Sequence, residues 1–177
     1  MSNAIPSKSD TTTRCARFAV TVDRPNRLTT LLLCGFMLAA MVICWFSSAD
    51  DIFRYIMAVI LLLVGGVLPI LIYVHLPRQI EVTPTAILLH CPARTKSIPR
   101  SETTEIRRIQ DHDLQLFFRK WGSSGMFGNW GHFSSKLYPD MFFYTKRSRR
   151  DWILVRDNGQ VWVLSPDDGE AFLNAFQ

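Results

Sequence analysis

The densest charge in the chain is Lys146-Arg147-Ser148-Arg149-Arg150. Four cations in five residues suit an anionic surface, because each basic side chain near charged headgroups is worth about 1 kcal/mol. The run separates two apolar stretches and so reads as a hairpin tip. It is either a solvated turn or a touch-down on headgroups through Lys146, Arg147, Arg149 and Arg150. Nucleic acid is a poor match: from residue 77 onward there are 14 basic and 11 acidic residues, too balanced for a phosphate-tracking surface.

The oddest segment is Trp121 to Phe133, WGSSGMFGNWGHF. Gly-rich loops can cradle phosphate, but a P-loop closes with Lys-Ser/Thr on a helix, and that ending is missing. The segment reads as a long loop. Its Trp121, Met126, Phe127, Trp130 and Phe133 either tuck against the sheet or the bilayer surface, or form an interface for a protein partner or a second copy.

Catalytic and metal chemistry find little to use. Cys15, Cys34, Cys44 and Cys91 are scattered, with no CxxC pair. That argues against a disulfide framework or a zinc site and fits a reducing compartment. His90, His112 and His132 are far apart in sequence. Asp111-His112-Asp113 has the types of a base with an orienting acid, yet it sits in a polar stretch that reads as a solvated turn. No set meets the geometric needs of a catalytic centre. The expectation is a non-enzymatic protein with no cofactor and no metal.

The elements that position these residues are organised around two apolar runs, 28–46 and 55–76. The first carries no charge over a length of about 28 Å, close to the ~30 Å hydrocarbon thickness of a bilayer. The second is uncharged apart from His75. Trp45, Phe46, Tyr55 and Tyr73 mark the ends, as interfacial aromatics do. Both runs are expected to span. Cleavage after Ser47-Ser48-Ala49 is disfavoured, because 27 residues before the apolar run is long for a signal peptide. Lys8, Arg14, Arg17, Arg24 and Arg27 precede the first run, and Arg78, Arg94, Lys96 and Arg100 follow the second. The connection carries Arg54 against Asp50 and Asp51. The basic flanks put both termini in the cytoplasm of a multi-pass inner (plasma) membrane protein. Gly65-Gly66 and Pro69 suggest close packing and a kink.

Residues 77–177 read mostly as strands: 79–83, 86–91, 97–100, 104–109, 114–120, 138–145, 152–156 and 160–164. Asn158-Gly159 between the last two is the sharpest hairpin signal. Ser165-Pro166-Asp167-Asp168 sets a helix start, with Ser as the cap, and Ala171, Phe172, Ala175 and Phe176 give it an apolar face. Residues 16–22 read as a strand before the first helix, within a 16–27 linker, that either joins the later sheet or stays a flexible arm. Residues 1–15, rich in Ser and Thr, read as a disordered arm. The fold class is α+β: a helical hairpin, then an antiparallel sheet curled on itself and plugged by a terminal helix.

Three features together resemble a known family. They are Gly125-Met126-Phe127-Gly128-Asn129-Trp130-Gly131, Phe143-Tyr144-Thr145, and Ser165-Pro166-Asp167-Asp168 with Phe172. The chain resembles bacterial membrane proteins that carry a pleckstrin-homology-like (PH-like) β-barrel or sandwich behind a helical hairpin. The resemblance implies a fold and a location, not an activity. The lipid binding of eukaryotic PH domains rests on basic residues in the first strand loop, and here that loop is the bare Pro84-Thr85 turn. The expected function is membrane-surface or protein contact, including self-association. The alternative is an auxiliary subunit of a larger transport or envelope-stress complex. A hydrolase using His132 or Asp140 is the least favoured reading.

Overall fold

The computed structural model describes residues 15–46, 50–147 and 149–176. Apart from Cys15, the arm expected over 1–15 lies outside them. Helix α1 (Arg24–Phe46) is followed by α2 (Asp51–Leu62), a π turn (Leu63–Val67) and α3 (Leu68–His75). The π turn has a local cause. Pro69 has no N–H to continue the α pattern, and the Leu68 N–H reaches back five residues to the Leu63 carbonyl. A Cβ on Gly65 would stand 3.1 Å from Met37 Cβ, so Gly65, rather than its neighbour Gly66, lets the two rods approach closely. Arg24–Phe46 and Asp51–His75 are each long and apolar enough to cross a membrane.

The remaining chain builds two sheets. Strands β1 (Ala16–Ala19), β2 (Gln79–Val82), β3 (Ala86–His90) and β4 (Thr95–Pro99) pair antiparallel in sequence order. The strand ahead of the first helix thus forms the edge of this sheet, and its Arg17 reaches Glu81 on β2 at 3.4 Å. Strands β5 (Glu105–Arg108), β6 (Phe118–Ser124), β7 (Asn129–Ser134), β8 (Met141–Thr145), β9 (Ile153–Asp157) and β10 (Gln160–Leu164) form the second sheet in the order β5-β9-β10-β8-β7-β6. The short helix α4 (Gly169–Asn174) follows.

Of the expected antiparallel β-barrel or sandwich, the closed barrel and the purely antiparallel pairing are corrected. The strands divide into two separate sheets, and β10 lies parallel to β8. Asn158 and Gly159 both adopt positive φ, as a two-residue hairpin turn requires, and join β9 to β10. The second arm of that hairpin then sits beside β8, which forces the parallel pair. The sheets stack face to face over Ile80, Ile87, Leu89, Val155, Trp162 and Leu164, with Phe172 of α4 at the end of the core.

The opposite face of the larger sheet is also buried, which sequence reading missed. Phe133, Phe143, Leu154 and Val163 are covered by Leu114 and Phe117. The strand expected from Leu114 begins only at Phe118, because 111–114 form a 3-10 turn and Phe117 stacks on Phe133 at 5.2 Å. Asp113, expected in a solvated turn, is fully buried and takes two hydrogen bonds from Arg107, both 2.7 Å. The helix cap differs too. Asp168, not Ser165, accepts from the Ala171 N–H at 2.9 Å, while buried Ser165 accepts from the Lys146 N–H.

Candidate functional site

The Gly-aromatic segment is not a loop. Residues 121–133 form most of the hairpin β6–β7, with only 125–128 as its tip. Three of its four glycines, Gly122, Gly128 and Gly131, are explained by backbone contact. Gly122 and Gly131 face each other across the hairpin at φ +116° and +123°, and a Cβ on Gly131 would meet the Trp121 carbonyl at 2.3 Å. No side chain fits there, so the composition reflects close backbone approach rather than phosphate binding.

The tip is driven against the helices. Met126 is buried with Ile72 and Leu76. The Phe127 ring meets Tyr73 edge-on at 5.5 Å, and the Phe127 N–H donates to Thr30 Oγ1 at 2.9 Å. Thr30 is itself buried and donates to the Asn26 carbonyl at 2.8 Å. Phe127 holds φ +55°, a conformation a bulky residue rarely adopts unless its surroundings fix it. Phe133, proposed above as part of an interface, is instead core of the larger sheet, and Met126 is core of the joint. Only Trp121 among the five is fully exposed, while Phe127 and Trp130 are half-buried.

Beside the joint lies a cleft of about 180 Å³ reached by His75, Cys91, Arg94, Lys96, Trp121 and Trp130. Trp121 packs edge-on against Trp130 at 5.0 Å, and Trp130 lies 4.8 Å from His75. The Lys96 ammonium donates to the Tyr144 hydroxyl and lies over the Phe142 and Tyr144 rings. Burial pushes the Cys91 thiol upward, against the pull of Lys146, Lys96 and Arg94, so it stays protonated and unreactive at neutral pH. His132 Nε2 is 3.1 Å from Asp140 Oδ1 but off the line of a hydrogen bond. Lys120, at 2.7 Å, is the main partner that holds the Asp140 carboxyl below its usual range.

The basic run does not present four cations together. Lys146 is buried at the joint, where its carbonyl accepts from the Asp23 N–H and Asn26 Nδ2; it is no hairpin tip. Arg147 is held between Asp151 at 2.9 Å and Asp167 at 3.2 Å. Arg149 is exposed, over the Trp152 ring. The side chain of Arg150, and all of Ser148, lie outside the described residues. Among those residues no three His, Cys, Asp or Glu side chains converge as a metal site needs.

Sequence reading missed Thr30, Tyr73 and Arg78 as joint residues. A polar Thr in an otherwise apolar run was the available signal for Thr30. No curated protein and no solved structure matches the chain. The family model described as "Bacterial PH domain" matches residues 78–177, the part that holds nine of the ten strands among the described residues, and the terminal helix. With more than half its length matched, the chain belongs to the bacterial PH domain family.

Proposed function

We propose that this chain is a non-enzymatic inner-membrane protein. Its two apolar rods cross the bilayer with both termini in the cytoplasm, and its PH domain makes contacts there with the membrane surface or with protein. The observation that carries this is the docked hairpin tip. Met126 and Phe127 fix the domain onto the ends of α1 and α3, so it would be held against the headgroups in one orientation rather than swinging on a tether. The basic flanks of the apolar runs support the orientation. Reporter fusions at the C-terminus should be active only in the cytoplasm. Periplasmic activity, or a full chain that stays soluble without detergent, would end this reading.

An auxiliary-subunit role has one observation in its favour. Strand β6 is a sheet edge, and Leu116, Phe118, Trp121 and Leu137 on or near it are exposed. An open edge with apolar side chains is a surface a partner can cover. Cross-linking in intact membranes separates the readings: a stable hetero-complex through β6 supports the subunit role, and a homo-oligomer or lone chain supports the first.

A further inference from the structure

A second pocket, of about 370 Å³, opens where the helical pair meets the sheets. Arg27 enters it from α1, Arg78 from the segment after α3, and Lys146 from the segment after β8. Lys146 is only 3% exposed. Among the described residues, no Asp or Glu lies within ion-pair distance of Arg27, Arg78 or Lys146. The carboxylate whose charge acts on Lys146, Asp167, is already engaged by Arg147 and by the Thr21 N–H and hydroxyl. Arg78 and Lys146 both lie over the Tyr73 ring, at 5.4 and 5.6 Å, and Arg78 also donates to the Tyr73 hydroxyl at 3.1 Å. Buried cations are normally paired. Three that line one pocket with no carboxylate at ion-pair distance among the described residues, one of them almost wholly buried, suit an anion supplied from outside the chain.

We infer that the Arg27–Arg78–Lys146 pocket receives the phosphate of an anionic phospholipid headgroup. The inference rests on the proposed crossing of the bilayer by the two rods. That crossing sets the first turn of α1 and the end of α3 at headgroup depth. The rest of the pocket favours a lipid over free phosphate. Val20, Val22 and Phe127 line it, and Leu28, Leu31, Ile70 and Leu71 stay exposed along the adjoining turns of α1 and α3, where acyl chains would lie. A phosphate between guanidinium groups and an ammonium makes charge-assisted hydrogen bonds, the strong kind. None of these cations belongs to the first strand loop, and only Lys146 belongs to the dense basic run.

The test uses the full chain in nanodiscs of phosphatidylcholine alone or with added phosphatidylglycerol. Lipid retained on the protein is read by native mass spectrometry after transfer to mild detergent. Phosphatidylglycerol should be retained in preference to phosphatidylcholine. Lys146→Met and Arg78→Gln should each lower that retention about fivefold. Arg27→Gln, at an exposed position, should do the same and serves if a more buried variant fails to fold. Equal retention of the two lipids, or variants that match the wild type, would overturn the inference while leaving the membrane topology standing. If millimolar inorganic phosphate or glycerol phosphate displaces the lipid completely, the source is a free phosphate and the lipid assignment is wrong. A chain that never enters nanodiscs overturns both the inference and the topology.

Discussion

Two β-hairpins in the same sheet obey different rules. The β9–β10 hairpin turns on Asn158-Gly159, which take the positive φ angles such a turn needs, and a Cβ on Gly159 would meet nothing within 4 Å. Its conformation is set locally. The β6–β7 hairpin turns through Gly125, Phe127 and Gly128, all at positive φ, and a Cβ on Gly128 would collide with the Thr145 carbonyl at 2.0 Å. Its conformation is imposed by β8 on one side and by Thr30, Tyr73 and Ile72 on the other. The first hairpin is made by its turn. The second is made by what it docks on, and it sets how the domain stands on its helices.

The widest separation between the two should come from a single added methyl. Gly131→Ala places a Cβ 2.3 Å from the Trp121 carbonyl at φ +123°. Neither backbone can yield without breaking β6–β7 pairing, so a loss of about 3–5 kcal/mol is expected. Gly159→Ala meets open space and carries only the left-handed penalty, about 1–2 kcal/mol. Thermal unfolding of the full chain in one detergent compares them. Equal melting temperatures for the two variants would show that the docked hairpin is no more constrained than the free one.

A smaller change tests the joint without touching the hairpin's own backbone. Thr30→Val keeps the shape but removes the oxygen that accepts from the Phe127 N–H. A buried donor left unpaired costs about 1–3 kcal/mol. Amide exchange at residues 125–128 should speed up, while exchange across Asp157–Gln160 stays as it was. If both hairpins respond alike, Thr30 supports the domain generally, and the contrast between a local and a docked hairpin fails.

The same contrast explains what the sequence could show. Apolar length and alternation reveal α1, the α2–α3 rod and the β9–β10 hairpin, because each follows a local rule. Three strongly apolar residues hide the turn at 114–117. Leu114-Gln115-Leu116-Phe117 read as a strand, yet Leu114 and Phe117 fold over the outer face of the larger sheet while Leu116 stays exposed, and the pattern records apolar character without saying what it packs against. Asp113 looked solvated because its partner Arg107 lies across a turn. The Gly-aromatic segment stands out in the sequence but reads as a loop, since close approach of Gly122 to Gly131 is a tertiary fact. The basic run was legible as charge and illegible as geometry. Sequence put its four cations on one tip, whereas Lys146 turns into the joint and Arg147 into carboxylates.

Lys146 gives the gentlest probe of the docked hairpin, because it follows β8 directly beneath the tip. Burial, with Arg78 as the next cause, pulls its ammonium down to about 8. Cys91 and Asp167 act in the opposite direction, and the Tyr73 ring covers it. At pH 7 the side chain is charged in both the folded and the unfolded chain, so the burial penalty is fully present. Between pH 8 and about 10.5 the folded chain releases the proton first. The unfolded chain then binds more protons, and stability rises with pH. Between pH 7 and 9 the gain should be at most about 1 kcal/mol, since water reaches part of the joint. In neutral detergent free of anionic lipid, Lys146→Met should melt above the wild type at pH 7, and the gap should narrow by pH 9. Subtracting the two curves cancels every other titrating group they share. A constant gap would mean that Lys146 does not shed its proton early, and that the seam under the docked tip is as wet as the surface around Asn158-Gly159.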